Sequence, residues 1–129
     1  MYKILIIDNS THLLEVMKRI LERNEYIIKT MNTPAGIYGE IDNFRPDLLI
    51  LDIYLSDEDG RHICKKIKTN FQTRFLPIIL FSAFPNALEE YKIYLADDFM
   101  QKPFDIKTLL NKIKLLLRSE LIIPNDALQ

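Results

Sequence analysis

The segment Leu48-Leu49-Ile50-Leu51-Asp52 is the clearest indication of the fold class, because four aliphatic residues are followed directly by an aspartate. A continuous apolar run of this length is typical of a strand that is buried on both faces, as in a parallel sheet covered by helices. A second run has the same form, Ile4-Leu5-Ile6-Ile7-Asp8. Two buried strands that both end in aspartate predict an α/β protein with acidic groups at one edge of its sheet.

Three further strands are predicted outside this pair. The segment 76–81 is apolar and ends at Ser82, the segment 26–31 is weaker, and the short segment 98–101 completes the set. Between these strands the apolar residues recur with the period of a helix. The helices are expected after a cap at Ser10 or Thr11, from Thr33-Pro34 to about Phe44, around Ile63 and Ile67, from Pro85 to Tyr94, and from a cap at Asp105 through Ile106, Leu109, Leu110, Ile113 and Leu117.

Strand and helix therefore alternate five times, which predicts a single five-stranded parallel sheet with helices on both faces and right-handed crossovers. The chain has 129 residues, a length typical of one domain. We expect this domain to span residues 1–119. The segment 120–129 contains Pro124-Asn125-Asp126, loses the helical period and is interpreted as a C-terminal tail or the stub of a linker.

Composition excludes several classes of function. The 17 Lys and Arg residues against 18 Asp and Glu give a net charge of -1, which does not favour binding to nucleic acid or to an anionic membrane. The single cysteine, Cys64, cannot form an internal disulfide, so a reducing cytoplasm is the expected location. The apolar run before Asp8 is too short for a signal peptide or a membrane span.

Polar residues stand where the predicted strands end. In an open parallel sheet, ligands bind outside the carboxyl ends of the strands, so these side chains are the candidates for a site. Asp52 could attack a phosphoryl group and form an acyl phosphate if the charge on the transferring oxygens is neutralised. Asp8 and Asp52 could hold Mg²⁺, Lys102 could pair with a phosphoryl oxygen, and Ser82 could donate a hydrogen bond.

At four segments the chain resembles the response-regulator receiver domains of two-component systems, including the chemotaxis regulators. The resemblance covers residues 2 to about 118 and is carried by the segments 4–8, 49–60, 81–83 and 96–104. It implies a flavodoxin-like doubly wound sheet with strand order 2-1-3-4-5. It also implies a phosphoryl acceptor at Asp52, Mg²⁺ bound by Asp8, Asp52 and the backbone carbonyl of Tyr54, and a cis peptide bond between Lys102 and Pro103.

The same resemblance implies partners and a switch. The phosphoryl group would come from a histidine kinase or a histidine phosphotransfer protein, and the domain would be no enzyme beyond catalysing its own phosphorylation and dephosphorylation. Ser82 would move toward the phosphoryl group, and Phe99 would turn inward to fill the space that is left. The face formed by helix four, strand five and helix five would then contact a downstream protein or an output domain, without direct binding to nucleic acid or membrane.

Three positions depart from the family pattern or modify it. The family usually has a second acid after strand one, and here that residue is Asn9, so we expect weak or water-mediated contact with Mg²⁺. Phe99 lacks the hydroxyl of the commoner tyrosine, and a fixed core aromatic is an equally good interpretation of it. Tyr54 and Phe84 each follow a site residue by two positions, where bulky side chains are expected to hinder water and prolong the acyl phosphate.

Other interpretations of the pattern remain open. Asn9 could mark a receiver-like interaction module that works without phosphorylation. A small phosphohydrolase of the haloacid-dehalogenase type also uses a nucleophilic aspartate, Mg²⁺, a hydroxyl and a lysine, but its general acid would fall at Tyr54. A flavin carrier would need a glycine-containing phosphate loop after strand one, and residues 8–12 contain no glycine.

Overall fold

The computed structural model describes the backbone of residues 1–56 and 58–126 and the side chains of residues 1–56, 58–87 and 89–118. Five parallel strands form the sheet, in the order β2-β1-β3-β4-β5, as the sequence and the resemblance predict. The strands are β1 (Lys3–Ile7), β2 (Ile27–Met31), β3 (Leu48–Asp52), β4 (Ile78–Ser82) and β5 (Asp98–Gln101). The helices are α1 (Thr11–Arg23), α2 (Ile37–Phe44), α3 (Gly60–Thr69), α4 (Pro85–Leu88) and α5 (Ile106–Asp126).

Side chains that alternate along the strands build two cores, one on each face of the sheet. Ile4 and Ile6 of β1 point to the face covered by α1 and α5, where Met17 and Ile113 are fully buried. Leu5 and Ile7 point to the opposite face, which α2, α3 and α4 cover. Because both faces are covered, the central strands are apolar throughout, and this is why the sequence shows continuous runs there.

Hydrogen bonds at the first turns of the helices test the N-cap residues that were predicted from the sequence. Ser10 is the N-cap of α1, and its hydroxyl oxygen accepts a hydrogen bond of 3.2 Å from the Leu13 N–H. Asp105 accepts a bond of 3.1 Å from the Thr108 N–H at the start of α5. Thr33, however, does not cap α2: its hydroxyl accepts from the Ala35 N–H in a local turn, and the helix begins three residues beyond Pro34, after Gly36. Gly36 has a φ of 78°, a left-handed conformation that stops a helix from starting earlier.

Two other helix predictions were wrong in extent. The predicted helix from Pro85 to Tyr94 is a single turn that ends at Leu88, and the following residues form turns in which Leu95 has a φ of 65°. In that segment the backbone hydrogen bonds join residues three apart, such as the Ile93 N–H to the Glu90 carbonyl at 2.9 Å, instead of residues four apart as in an α-helix. The last helix does not stop near Ser119 but continues to Asp126, because residues 120–123 contain no glycine or proline to interrupt it.

The division between a domain of residues 1–119 and a tail of residues 120–129 stays a prediction, and residues 127–129 lie outside the described residues. A small antiparallel ribbon, in which Tyr54–Leu55 pairs with Glu58–Asp59, was not expected from the sequence. The ribbon leads into α3, because Asp59 is the N-cap of this helix and accepts a bond of 2.9 Å from the Arg61 N–H. Asp57 lies outside the described residues.

Candidate functional site

Three charged side chains meet at the carboxyl edge of the sheet. The Nζ atom of Lys102 lies 2.6 Å from Oδ2 of Asp8 and 3.5 Å from Oδ1 of Asp52. These residues follow or end β1, β3 and β5, so the sheet brings together positions that are 94 residues apart in sequence. Asp8 is 1% exposed and Asp52 is 4% exposed. The cluster predicted from the sequence is therefore present, and its two carboxylates are buried.

The backbone fixes the approach of each side chain. Oδ1 of Asp8 accepts a hydrogen bond of 2.9 Å from the Ser10 N–H, which orients this carboxylate at the start of the loop before α1. The Lys102 N–H donates to the Ser82 carbonyl at 2.8 Å, so the lysine begins from a residue bonded to the end of β4. Its ammonium also lies 4.9 Å from the centre of the Phe81 ring, at cation–π distance.

The electrostatics of the pocket are unfavourable for two ionised carboxylates. The pKa of Asp52 is raised from 3.8 to about 6; burial is the largest cause and the nearby Asp8 charge adds to it, while Lys102 and the Tyr54 backbone N–H act in the opposite direction. The Lys102 ammonium is thus the shared counter-ion of two buried carboxylates, Asp8 and Asp52. Such a pocket favours an additional cation.

The donor set of this pocket fits Mg²⁺. This ion takes oxygen ligands and usually uses only one or two carboxylates together with water and phosphate oxygens. Asp8 and Asp52 supply two carboxylates at one edge, and within residues 1–56, 58–87 and 89–118 no group of three or more acidic, His or Cys side chains forms a larger metal cluster. Asn9 is exposed beside them, in agreement with at most a peripheral contact.

Ser82 and Pro103 complete the predicted site. Ser82 is fully buried at the end of β4, and its hydroxyl oxygen accepts a hydrogen bond of 3.0 Å from the Phe84 N–H. The hydroxyl hydrogen is left to donate toward a ligand. The peptide bond between Lys102 and Pro103 is cis, as the resemblance implies.

Two aromatic rings flank the pocket. The Tyr54 and Phe84 rings meet edge to face with their centres 5.0 Å apart, and both side chains are exposed. The two positions were predicted separately from the sequence, and their mutual contact was not. Because one ring follows Asp52 and the other follows Ser82, the pair bridges the ends of β3 and β4.

Phe99 lies on the outer face of β5, apart from the acidic cluster. It is 36% exposed, its ring centre is 4.8 Å from that of Tyr91, and the Lys112 ammonium lies 5.4 Å from its centre. Lys112 also donates to Asp98 at 3.0 Å. Phe99 is thus a surface aromatic in this state and no fixed core residue.

Gly60 is a site residue that sequence reasoning did not single out. Its N–H donates to the Ile53 carbonyl at 2.7 Å, so the first turn of α3 packs directly on the backbone beside Asp52. A Cβ atom at this position would lie 2.0 Å from the Asp52 carbonyl oxygen and 3.0 Å from the Ile53 Cα. The available signal was a glycine, a poor helix former, at the first position of a predicted helix.

A second unpredicted feature joins α3 to the segment after α4. Arg61 forms a bidentate ion pair with Asp59, in which the distance from Nη2 to Oδ2 is 2.6 Å. The Arg61 guanidinium also lies 5.4 Å from the centre of the Tyr94 ring. His62 meets the same ring at 5.5 Å. Although partial burial opposes ionisation of Asp59, the bonds from Arg61 hold its pKa below the ordinary value. These contacts tie the first turn of α3 to Tyr94.

A family model named response regulator receiver domain matches residues 4–114. The chain belongs to this family. Receiver domains interact with histidine kinases and output domains in two-component signalling, they are not classical enzymes, and their phosphorylation generally depends on Mg²⁺. The family inferred from the sequence is therefore confirmed by a match over most of the chain.

Individual relatives are longer bacterial regulators. This chain is 30% identical over 131 residues to the heme response regulator HssR of Staphylococcus epidermidis, and the alignment covers 100% of this chain and 57% of that protein. It is 35% identical over 123 residues to the nisin biosynthesis regulatory protein NisR of Lactococcus lactis, covering 92% and 52%. The chain thus spans about half the length of the curated relatives that it matches.

A solved structure supports the same fold. A two-component response regulator from Clostridium difficile superposes with a TM-score of 0.82 at 30% identity, covering 92% of this chain and 97% of that one. Across the described part of the chain, no helix combines the length and the apolar character that a membrane span requires.

Proposed function

We propose that this receiver accepts a phosphoryl group on Asp52 from the phosphohistidine of a kinase or a phosphotransfer protein. The observation that carries the proposal is the position of the Lys102 ammonium, 3.5 Å from one carboxylate oxygen of Asp52 and 2.6 Å from Asp8. A nucleophilic carboxylate and a cation that can receive a phosphoryl oxygen are thus within reach of the same small ligand.

The bonds that form and break in the transfer belong to this chain and its donor. An oxygen of Asp52 attacks phosphorus, the bond between phosphorus and the imidazole nitrogen breaks, and the electron pair stays on that nitrogen. The product is an acyl phosphate. Lys102 pairs with a phosphoryl oxygen as charge is redistributed, and Ser82 donates its hydroxyl hydrogen to another.

Asp8, Asp52 and the Tyr54 carbonyl are the groups that would hold Mg²⁺, with Asn9 contributing weakly or through water. When bound, the ion would neutralise charge on the phosphoryl oxygens. The chain's own contribution is to keep both carboxylates buried and aimed at one point. The raised pKa of Asp52, about 6, reflects the cost of keeping them there without that ion.

The output follows from Ser82 at the carboxyl end of β4 and from Phe99 inside the neighbouring strand β5. Movement of Ser82 toward the phosphoryl group makes room for Phe99, which leaves its position beside Tyr91 and turns inward. This changes the face formed by α4, β5 and α5, where a downstream protein or an output domain binds. The cytoplasm is the compartment in which such a relay operates.

The test is incubation with acetyl phosphate and Mg²⁺ followed by intact mass measurement. We expect one phosphate adduct on the natural chain and none on Asp52→Ala. Asp42→Ala is the matched control because Asp42 is exposed and lies at the opposite end of the sheet, so its adduct should equal that of the natural chain. An equal adduct on Asp52→Ala would refute the proposal. No adduct on any variant would favour the unmodified interaction module, and steady turnover of phosphate esters would favour the phosphohydrolase.

A further inference from the structure

The loop between α3 and β4 presents two phenylalanines to solvent. Phe71 is 77% exposed and Phe75 is 75% exposed, more than any other large apolar side chain that the structure describes apart from Met1. Their burial therefore contributes little to the stability of the fold. Scattered apolar residues on a surface are ordinary, but here two aromatic rings share one short loop.

This loop is firmly held. The Asn70 carbonyl accepts bonds from the Thr73 and Arg74 N–H groups at 3.1 and 2.9 Å, and the Asn70 side chain accepts from the Gln72 N–H at 2.9 Å. The Thr73 hydroxyl donates to the Ile67 carbonyl at 2.7 Å, which fastens the loop to the end of α3. Exposed aromatic side chains are thus displayed from an ordered backbone, which lowers the entropy lost on binding.

Arg74 lies against both rings. Its guanidinium carbon is 4.8 Å from the centre of the Phe71 ring and 4.6 Å from that of Phe75. Contact with two rings restrains the guanidinium while its N–H donors stay at the edge of the plane, where a carboxylate can bind with both oxygens. Among the side chains that the structure describes, no carboxylate lies within 4.0 Å of this group.

A cleft of about 660 Å³ begins beside this loop. Phe75 and Thr73 line one side, and Tyr38 in the first turn of α2 and Arg45 just after its last turn line the other. The carboxylates of Asp42 and Asp47 also line this cleft. Arg45 likewise has no acidic partner within the described side chains. Tyrosine, phenylalanine and arginine are the residues enriched at the centres of protein interfaces.

We propose that Phe71, Arg74 and Phe75, with the adjoining cleft, form a docking surface for a partner protein segment that carries a carboxylate next to apolar side chains. The carboxylate binds the edge of Arg74, and the apolar side chains cover the phenylalanine rings and enter the cleft. Charge complementarity selects the position of the carboxylate, because among the described side chains no acid lies within 4.0 Å of the Arg74 guanidinium. Asp42 and Asp47 line the cleft, so it receives the uncharged part of the segment. The surface lies at the end of the sheet remote from Asp52, so it does not depend on phosphoryl transfer.

The test uses a random peptide library displayed on phage and selected on the immobilised full chain. We expect the selected peptides to contain Asp or Glu beside aromatic or aliphatic residues. Synthetic copies should bind the natural chain at least about tenfold more tightly than Arg74→Gln, as expected for a residue at the centre of an interface. Arg23→Gln, which removes an exposed arginine from α1, is the matched control and should bind like the natural chain.

Several outcomes would overturn the proposal: no selected peptides, basic peptides, or peptides that bind Arg74→Gln as well as the natural chain. Binding of a single-stranded oligonucleotide that is lost in Arg74→Gln would point to nucleic acid as the ligand instead. The double variant with Phe71→Ser and Phe75→Ser should also lose peptide binding, and Arg74→Gln remains decisive if that variant does not fold. Labelling of Arg74→Gln by acetyl phosphate should be normal, which separates this proposal from the one for Asp52.

Discussion

Aspartates stand at both ends of the sheet, and they are used differently. At the amino end, Oδ2 of Asp47 accepts from the Lys3 N–H at 2.8 Å, and Oδ2 of Asp97 accepts from the Ile78 N–H at 2.8 Å. Each carboxylate thereby ties the starts of two neighbouring strands. At the carboxyl end, Asp8 and Asp52 approach the same ammonium instead.

The contacts of the two groups of aspartates separate acids that stabilise the fold from acids that belong to the candidate site. Asp97 has a lysine of its own, since Lys68 lies 2.9 Å from it and also donates to the Leu76 carbonyl at 3.1 Å. Asp8 and Asp52 have to share Lys102, and burial leaves their repulsion poorly screened. An arrangement that costs folding free energy yet joins distant parts of the chain is typical of a functional site.

The largest effect is expected from Gly60→Ala, which tests how tightly the carboxyl end is built. A Cβ atom 2.0 Å from the Asp52 carbonyl oxygen forces the start of α3 away from β3. We expect a loss of roughly 3 kcal/mol or more in the free energy of unfolding, measured with urea, together with loss of phosphate labelling.

Gly39→Ala is the matched control for this change. Gly39 lies inside α2, and a Cβ atom there would meet nothing within 4 Å. Stability should rise by about 0.5–1 kcal/mol because alanine is the better helix former. Equal stability changes in the two variants would show that the contact at Gly60 is not restrictive.

The second prediction contrasts one aspartate from each end. Asp97→Ala removes the acceptor for the Ile78 N–H and leaves Lys68 without its acid, so we expect a loss of about 2 kcal/mol in urea unfolding. Asp52→Asn removes a repelling charge and should stabilise the metal-free protein by about 1–2 kcal/mol at pH 7.5. A loss of stability in Asp52→Asn would contradict the division of roles.

The pH dependence sharpens this contrast. The pKa of Asp52 is about 6 in the folded chain, against 3.8 for the ordinary carboxyl. Between these two values the folded chain binds more protons at this group than the unfolded chain, so its contribution to stability increases as pH falls from 7 toward 4. The advantage of Asp52→Asn should therefore shrink over this range in urea unfolding with EDTA, and an advantage that is constant from pH 7 to 4 would refute the assignment.

The third prediction concerns the aromatic pairs at the two ends. Replacement of Tyr54 and Phe84 by serine opens the approach to the acyl phosphate, and we expect its hydrolysis to accelerate about tenfold, or 1.4 kcal/mol of barrier. The double variant with Phe71→Ser and Phe75→Ser changes the other end and should leave the rate unaltered. Decay of labelled protein, followed by intact mass, measures both, and an unchanged rate in the first variant would reject the role of the Tyr54–Phe84 pair.

The smallest effect is expected for Asn9→Asp. The added charge favours Mg²⁺, but the position is exposed, so solvent screens most of the interaction. We expect Mg²⁺ to bind about threefold to tenfold more tightly in a calorimetric titration. The isosteric exchange changes charge at nearly constant shape, and equal affinities would mean that position 9 is outside the reach of the ion.

Sequence reasoning succeeded where local pattern and tertiary structure agree. The runs that end at Asp8 and Asp52 are buried strands, and their carboxylates meet Lys102 because parallel strands end at one edge. The cap of α1 was predicted at Ser10 or Thr11, because a hydroxyl before an apolar stripe is typical of an N-cap, and the structure has it at Ser10.

The failures come from contacts that no local pattern records. The segment after Leu88 keeps an apolar content typical of a helix, but Leu95 adopts a left-handed backbone conformation and the Tyr91 ring contacts Phe99. The closeness of Gly60 to Asp52 depends on how α3 approaches β3, and the sequence contains no measure of that distance. The mutual contact of Tyr54 and Phe84 likewise needs the spacing of two strands.

The bond from the Lys102 N–H to the Ser82 carbonyl has a consequence for how the pocket can rearrange. A shift of one strand end without the other would break this 2.8 Å bond between buried backbone groups. The backbone segments that carry the hydroxyl and the ammonium are thus joined, so a displacement of one of these strand ends is transmitted to the other.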